Sequence, residues 1–391
     1  MADILFIMKY PIILNETLKR KFDGQMSACV QLGHNVWYFE WDGKSINLVC
    51  KNNNSKTYIL KTLLFLSKSK YYKSILFIDL YRASIIALNN YRFDFVYFRE
   101  MPIISPANQI ARIIMSKHIF LIYEIPTYLG DEKYISTYKN KEESLYRRFV
   151  FMISNLNLRK FIHSIGLVVA IGHKTNGVVF KRPALNISNG IDVSKLELRT
   201  IKINESEIHM LLLASMCYWH GYERVIKSLA SYHGKEKIYL HFVGDDGDGS
   251  LSKWKFMVKE LNLDKSTIFH GPVFGDELTD LINHMDIGIG SLGLYKENLY
   301  SASTMKAKEY MARGLPFVYA GEDPSIDELL PYVLEVRNDD SDIDMNHLVY
   351  FAQKVRLIDE LPIKMRQYAL NSMTWESQFN MIFEFINKNI S

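Results

Sequence analysis

Short apolar runs alternate with amphipathic segments along the chain, and this alternation predicts strands and helices in turn. In the first half, an apolar run at residues 4–8 precedes an amphipathic segment at 16–32, which Gly33 ends. Further buried strands are predicted at 34–39, 93–98, 119–123 and 166–171, with a helix at 106–117. Strands separated by helical segments predict a parallel sheet that is covered on both faces.

The second half repeats this rhythm more regularly. Its apolar runs predict strands at 209–215, 238–243, 267–270, 287–290, 316–320 and 333–336. Amphipathic segments between them predict helices at 222–232, 251–261, 276–285 and 304–313. Strands and helices in this order predict a doubly wound domain, and such sheets bind ligands beyond the carboxyl ends of their strands.

A polar stretch at 189–205 separates the two patterned halves. We therefore predict an N-terminal domain at 1–195 and a C-terminal domain at 196–372. The remaining segment, 373–391, contains an amphipathic helix with a Ser/Thr start. That helix either crosses back to the first domain or packs on its own domain.

Composition indicates a globular protein with room for two cores. The chain has 391 residues, of which 48% are hydrophobic and 23% are charged. Its three cysteines have neither disulfide nor metal-site spacing, which fits a reducing cytosol. The N-terminus is typical of a first strand rather than a signal peptide, and the apolar runs are too short to span a bilayer. We therefore expect a cytoplasmic protein.

Charge is divided unevenly between the halves. Residues 1–200 contain 28 Lys and Arg against 15 Asp and Glu, whereas residues 201–391 contain 19 against 28, so +13 and −9 give the overall +4. A basic first half indicates an anionic partner, either anionic lipid headgroups or a pyrophosphate-bearing substrate. The sequence has no nucleic-acid-binding signature, so we expect no nucleic-acid partner.

One predicted helix start in the second half combines several anion-binding features. Ser301, Ser303 and Thr304 supply hydroxyls where the helix begins, and Lys306 and Glu309 share one face of it. A helix N-terminus with a lysine attracts an anion, and a carboxylate one turn further can accept two ribose hydroxyls. This element predicts a nucleoside diphosphate site. The alternative is a solvent-facing salt bridge between Lys306 and Glu309.

Two further loops follow predicted strands of the second half. His220 and Gly221 open a helix, where the glycine permits close backbone approach to an anion and the histidine can donate to a phosphate. The alternative is a packed loop. Val273 ends the second loop, 270–273, whose backbone groups can contact a flat base. The aspartate-rich stretch 242–249 favours a strand-to-helix turn over a Ca²⁺ or Mg²⁺ site.

In the first half, Glu124 stands at the carboxyl end of an apolar strand. This position suits an acid, a base or an acceptor for a substrate hydroxyl. Arg99 and Glu100 end the preceding strand. A structural ion pair between Arg99 and Glu124 is the equally weighted alternative.

Together these stretches resemble the family 4 type of retaining GT-B glycosyltransferases, in particular the bacterial members that build surface polysaccharides. The resemblance covers the second half densely and the first half thinly. The residues that carry it are Trp219-His-Gly-Tyr-Glu-Arg-Val-Ile226, Phe242-Val-Gly-Asp245, His270-Gly-Pro-Val273, Gly290-Ser-Leu-Gly293, Lys306-Ala-Lys-Glu-Tyr-Met-Ala-Arg-Gly-Leu-Pro316, Asn189-Gly-Ile-Asp192 and Glu124-Ile-Pro-Thr-Tyr128.

The resemblance implies an α/β protein with two Rossmann-like, doubly wound domains that face a central cleft. It implies a retaining hexosyltransferase that moves sugar from a nucleotide-diphosphate sugar to a saccharide acceptor, lipid-linked and at the inner face of the cell membrane. Such a reaction needs no metal or other cofactor, because cations and helix dipoles meet the diphosphate charge. Capsule, exopolysaccharide or O-antigen synthesis is the implied setting.

The resemblance also assigns roles residue by residue. Glu309 matches the later glutamate of the paired-glutamate motif, which takes the ribose hydroxyls, whereas the earlier glutamate falls at Ser301. The usual Arg and Lys of the first C-domain loop fall near Ser215 and His220. Lys306 and His220 then meet the diphosphate, and Glu124 substitutes for a histidine, so these three are the candidate catalytic residues.

Two other functions remain open on the same fold. One is a nucleotide-sugar 2-epimerase, which changes the sugar without an acceptor. The other is a non-catalytic scaffold that binds sugar nucleotides, which the serine at position 301 keeps open.

Overall fold

In the computed structural model, the described residues are 1–9, 16–61, 72–101, 103–128, 157–172, 175 and 177–389. The chain divides into two units. The first comprises Met1–Gly190 and Gln378–Ser391, and the second comprises Ile191–Ser377.

The described part of the first unit is built on one sheet in the order β4-β3-β2-β1-β5-β6-β7-β9-β8. Its strands are β1 (Asp3–Ile7), β2 (Asn35–Trp41), β3 (Ser45–Cys50), β4 (Ser55–Lys61), β5 (Phe95–Arg99), β6 (Phe120–Tyr128), β7 (Leu167–Gly172), β8 (Val178–Val179) and β9 (Arg182–Ile187). Helices on the same stretch include α1 (Glu16–Gln31), α2 (Tyr72–Asn90) and α3 (Ser105–Ser116). The predicted strands therefore correspond to the central strands, and the helices predicted at 16–32 and 106–117 correspond to α1 and α3.

The parallel sheet predicted for the first half forms the centre of the observed sheet, and the structure adds antiparallel pairs at its two edges. The central strands are parallel, but β3 pairs antiparallel with β2 and with β4, and β8 pairs antiparallel with β9. The polar stretch 51–54 is the turn between β3 and β4. Adjacent strands joined by so short a turn can pair only antiparallel, because a parallel pair needs a long crossover.

The second unit is a six-stranded parallel sheet in the order β12-β11-β10-β13-β14-β15. Its strands are β10 (Glu207–Leu213), β11 (Lys237–Val243), β12 (Thr267–Gly271), β13 (Ile287–Ile289), β14 (Phe317–Ala320) and β15 (Val333–Val336). Its helices are α4 (Glu223–Ala230), α5 (Ser250–Glu260), α6 (Gly275–Asn283), α7 (Met305–Arg313), α8 (Met345–Arg356) and α9 (Leu361–Ser372). This confirms the predicted doubly wound pattern and adds α8 and α9, which the sequence analysis missed.

The last helix, α10 (Trp375–Asn389), ends within the first unit. The Phe379 ring packs against Phe6 and Tyr97, and the Phe383 ring packs against His34. These aromatic contacts add apolar burial to the first unit's sheet.

None of the described helices combines the length and the apolar character that crossing a membrane requires.

Backbone packing at the carboxyl edge of the second sheet requires glycine at position 244, directly after β11. Gly244 has φ +132°, and a Cβ there would lie 1.7 Å from the Ala214 carbonyl oxygen, just after β10. The Ala214 N–H in turn donates to the Val243 carbonyl at 3.0 Å. The two loops therefore hold each other at van der Waals contact, which fixes the edge where the candidate site lies.

We expect Gly244→Ala to lower the free energy of unfolding of the second unit by roughly 2–5 kcal/mol, because it adds both a clash and backbone strain. Gly249→Ala is the matched control. Gly249 also has positive φ, +88°, but a Cβ there meets nothing within 4 Å, so it should cost only about 1 kcal/mol. Urea unfolding of both variants measures the difference, and equal losses would contradict the steric argument.

Candidate functional site

Helix α7 begins at the carboxyl edge of the second sheet. Thr304 is its N-cap residue with an extended backbone, and the Thr304 side chain makes no capping bond. The Thr304 N–H instead donates to Asp323 Oδ2 at 3.2 Å. Ser303 is partly exposed, whereas Ser301 is buried and forms a parallel bridge with Glu322. Thr304 therefore keeps a hydroxyl that capping does not use, beside the helix N-terminus.

Lys306 lies half-buried in the first turn of α7. Instead of pairing with Glu309, its ammonium donates to the Tyr222 hydroxyl at 3.1 Å and lies 5.2 Å from the centroid of that ring. Burial lowers the pKa of Lys306 to about 7. The side chain is therefore close to half charged at neutral pH, and an anion placed beside it would favour the charged form.

His220 lies next to Lys306 on the short turn Tyr218–His220, and its ring stacks on Tyr222 with centroids 5.5 Å apart. The Cys217 N–H donates to His220 Nδ1 at 3.0 Å, so the ring proton is on Nε2 in the neutral form. Burial, and then the charge of Lys306, lowers the pKa of His220 to about 3. His220 is therefore a neutral N–H donor and not a second cation.

Gly221 serves packing in this loop. It has φ +65°, and a Cβ there would lie 2.7 Å from the Gly293 nitrogen. The Gly221 N–H donates to the Tyr218 carbonyl at 3.2 Å. The Gly221 N–H therefore closes the turn, and the expectation that Gly221 lets the backbone of this loop approach an anion stays a prediction. Position 221 requires glycine because the backbone here contacts the loop after β13.

Glu309 is half-buried one turn beyond Lys306. One of its oxygens, Oε1, accepts from Arg313 Nε at 3.0 Å, and Arg313 also reaches the Thr279 hydroxyl. A carboxylate has more acceptor positions than this one bond uses. Glu309 is therefore an oriented acceptor, and the alternative of a surface salt bridge between Lys306 and Glu309 is not the arrangement in the structure.

A second lysine on α7 was missed by the sequence analysis. Lys308 is fully buried and donates to Asp323 Oδ2 at 3.2 Å. Asp323 also accepts the Thr304 N–H and both the N–H and the hydroxyl of Ser325. This ion pair ties the start of α7 to the loop after β14. Only the helical period, which turns position 308 toward the core, could have distinguished it from Lys306.

Val273 is buried and lines a cavity of about 390 Å³ with His270, Glu277 and His284. The cavity lies along α6 and extends to residues that precede β10, including Lys202. The residues that line this cavity include neither Lys306 nor His220, and the predicted base contact at Val273 stays a prediction.

A row of three imidazoles crosses the sheet beside this cavity. His209 Nδ1 lies 2.8 Å from His241 Nε2, and His241 Nδ1 lies 3.0 Å from His270 Nε2. His209 Nε2 is 3.5 Å from a Glu207 carboxylate oxygen. Burial, followed by the neighbouring His209 and His270, lowers the pKa of His241 to about 3. His241 is therefore neutral at physiological pH, and burial also lowers the pKa of His270.

Glu124, in the first unit, has no exposed surface. It accepts from Gln25 Nε2 at 2.8 Å and from the Tyr97 hydroxyl at 2.7 Å, and it pairs with Arg99. Burial raises its pKa, but the charges of Arg99 and Lys21 outweigh this and leave the pKa lowered. An ionised carboxylate so enclosed fits the alternative of a structural ion pair with Arg99, and the catalytic role of Glu124 stays a prediction.

The aspartate-rich loop is the predicted strand-to-helix turn. Asp246 accepts N–H bonds from Gly249, Leu251 and Ser252 at the start of α5. Asp248 accepts the Tyr218 N–H at 3.0 Å and so connects this turn to the His220 turn.

The two lysines of α7 predict opposite stability effects. Lys306→Met should stabilise the protein by about 1–2 kcal/mol at pH 7 and below, because a charge without a carboxylate partner is removed from a desolvated position. Since the folded pKa is depressed, this gain should fade as pH rises from 7 toward the unfolded value. Lys308→Met should destabilise by about 3–5 kcal/mol, since it leaves Asp323 buried and unpaired. Urea unfolding at pH 6.5 measures both, and a matching sign would contradict the assignment.

The histidine row predicts acid sensitivity. The folded pKa of His241 is far below its unfolded value, so the stabilisation is complete above pH 6.5 and is lost as pH falls toward 3. Replacing this imidazole in His241→Gln should reduce the pH dependence of unfolding by about 1.4 kcal/mol per pH unit between pH 6 and 4. Unfolding free energies across that range test this, and parallel curves for the two proteins would rule it out.

No protein-family profile and no curated protein sequence matches this chain. Solved structures do resemble it. A glycosyltransferase from Rickettsia africae has 14% identity and a TM-score of 0.61, covering 100% of this chain and 99% of that chain. Sucrose-phosphate synthase from Thermosynechococcus elongatus has 14% identity and a TM-score of 0.59, covering 99% of each.

The Anabaena protein HepE, solved with UDP, has 12% identity and a TM-score of 0.56, covering 99% of this chain and 100% of that chain. HepE was also solved with UDP-glucose. These likenesses extend over both units. The chain therefore has the GT-B fold of glycosyltransferases, with two Rossmann-like domains.

Proposed function

We propose that this protein is a glycosyltransferase that uses a nucleotide-diphosphate sugar, with the donor held by the second unit. The observation that carries the proposal is the position of Lys306, which has no carboxylate partner within the described residues and lies beside His220 at the N-terminus of α7. In parallel α/β sheets, ligands bind at this carboxyl edge. The complexes of HepE with UDP and UDP-glucose support a uridine nucleotide as the donor class.

The diphosphate is proposed to bind without a metal. Lys306 supplies the cation, the start of α7 supplies N–H groups and the positive end of the helix dipole, and His220 Nε2–H supplies a neutral donor. Thr304 has a hydroxyl within the same turn. Because the anion favours the ammonium form, the pKa of Lys306 rises on binding, and the protein takes up a proton.

Glu309 is proposed to accept the two ribose hydroxyls. Its bond to Arg313 orients the carboxylate and leaves acceptor capacity for them. As the bond to the anomeric carbon breaks, negative charge grows on the departing diphosphate. Lys306 and the α7 N–H groups stabilise that charge, which lowers the barrier to transfer. We further propose that the anomeric configuration is retained and that the sugar is a hexose, as in the family 4 enzymes this chain resembles.

The acceptor is proposed to be a lipid-linked saccharide at the cytoplasmic face of the membrane, in the synthesis of a surface polysaccharide. The support is the net charge of +13 over residues 1–200, which favours an anionic surface or a pyrophosphate-linked acceptor.

Nucleotide binding tests the donor proposal directly. UDP at 100 times its Kd should stabilise the protein by about 2.7 kcal/mol. Lys306→Ala and Glu309→Ala should each weaken UDP binding by about tenfold or more, since each removes a charge-assisted contact. Titration calorimetry measures these affinities. Glu260→Ala, at an exposed carboxylate on the last residue of α5, is the control and should bind UDP like wild type.

A panel of nucleoside diphosphates and their sugars, incubated with and without saccharide acceptors, separates the alternatives. Transfer that depends on an acceptor supports the proposal. Conversion of the sugar nucleotide without any acceptor would indicate an epimerase, and binding without turnover of any donor would indicate a scaffold. Failure to bind every nucleoside diphosphate would overturn the donor site itself.

A further inference from the structure

Tyr222 lies between the two side chains proposed to meet the diphosphate, and it is fully buried. Its hydroxyl accepts from Lys306 at 3.1 Å and donates to the Ile289 carbonyl at 3.3 Å. Its ring stacks on His220 at an interplanar angle of 19°. One side chain therefore contacts both functional groups and the end of strand β13.

We propose that Tyr222 is a positioning residue for the donor site, whose hydroxyl fixes the Lys306 ammonium and whose ring fixes the His220 imidazole before the ligand arrives. This inference rests on the proposed function, since it concerns how the same site is prepared for a nucleoside diphosphate.

The tyrosine itself has little freedom to move. Trp254 of α5 packs against its ring at 5.3 Å between centroids, and Phe242 of β11 packs edge-on at 6.0 Å. The Ile289 carbonyl fixes the direction of its hydroxyl. The position of the hydroxyl is thus set by three core elements, which makes it a rigid acceptor for a flexible lysine.

A rigid acceptor matters because a free lysine has many rotamers. Ordering such a side chain on binding costs affinity, and an ammonium that is already held avoids that cost.

The Tyr222 ring contributes separately, because the His220 imidazole lies flat against this ring while the Cys217 N–H donates to the imidazole Nδ1. Phenylalanine at this position would keep the stacking and lose the hydroxyl, so the two contributions can be separated.

Tyr310 provides a matched control on α7. It is also fully buried, and its hydroxyl bonds to the backbone of β10 and to the same Ile289 carbonyl, at 3.4 Å. Tyr310→Phe therefore removes a buried hydroxyl from the same region but leaves the Tyr222 hydroxyl that accepts from Lys306. A purely structural effect should appear equally in both variants.

The test measures UDP affinity against pH for wild type, Tyr222→Phe and Tyr310→Phe. Among the described residues, the titratable groups that face Lys306 are His220, Tyr222 and Cys217. Wild-type affinity should fall as pH rises above about 7, where free Lys306 loses its proton. In Tyr222→Phe, the ammonium loses its acceptor, so this fall should begin about one pH unit lower. Affinity at pH 6 should drop about three- to tenfold.

Tyr310→Phe should keep the wild-type pH profile, even where its melting temperature falls. Calorimetry in buffers of different ionisation enthalpy adds a second readout. At pH 7, proton uptake on UDP binding should be larger in Tyr222→Phe than in wild type, because more of its free lysine is neutral. Tyr222→Leu, which also removes the stacking surface, should weaken binding further than Tyr222→Phe.

Several outcomes would overturn the inference while leaving the donor site intact. In each of them the wild-type protein binds UDP. In the first, the pH profile of UDP affinity in Tyr222→Phe stays in place or moves to higher pH. In the second, the profile of Tyr310→Phe moves to lower pH as far as that of Tyr222→Phe. A wild-type protein that binds no UDP would instead contradict the proposed function, so the two failures are distinguishable. If Tyr222→Phe does not fold, Tyr222→Leu decides by the same pH profile, since it also removes the hydroxyl that accepts from Lys306.

Discussion

The hydrogen bond from the Lys306 ammonium to the Tyr222 hydroxyl is the interaction on which the candidate site depends. Lysine is rarely buried unless a carboxylate accompanies it. The Lys306 ammonium instead contacts the hydroxyl and the aromatic ring of Tyr222, which hold it without neutralising its charge. Burial lowers the pKa of Lys306 to about 7, which means that the charged form of this side chain is unfavourable in the free protein. An anion beside Lys306 would favour the charged form, and the proposed donor site relies on this property.

The surrounding structure keeps this charge in place. Lys308 and Asp323 form a buried ion pair that fixes the start of α7 against the loop after β14. Gly221 and Gly293 bring the turn after β10 against the loop after β13 at backbone distance. These contacts belong to the core of the second unit and contribute to its stability, whereas Lys306 reduces it. Lys306 and Lys308 thus have opposite expected effects on stability, because the helical period turns Lys308 toward the core and Lys306 toward the sheet edge.

The first unit shows how similar chemistry gives a different result. Arg99 ends β5, and Glu124 lies opposite it within β6, which continues to Tyr128 rather than ending near Glu124 as the sequence predicted. Their charges are satisfied by each other and by Tyr97 and Gln25. The Glu124 carboxylate is enclosed and hydrogen-bonded on several sides, which favours the structural alternative. A charged residue in a strand of a parallel sheet is therefore a weak indicator of catalysis unless the partners of its side chain are known.

The sequence by itself determined the alternation of strands and helices, the parallel sheet of the second half and the helix start that carries Lys306 and Glu309. It could do so because hydrophobic period, glycine positions and helix-start residues are local properties of the chain. It did not determine the antiparallel edges of the first sheet, the burial of Lys308 or the partner of Lys306. Only the tertiary structure decided these, because residues 222 and 306, or 308 and 323, meet through the order of strands in the sheet. Whether a charged side chain is paired, unpaired or enclosed depends on residues that are distant in the sequence, and no local sequence pattern specifies them.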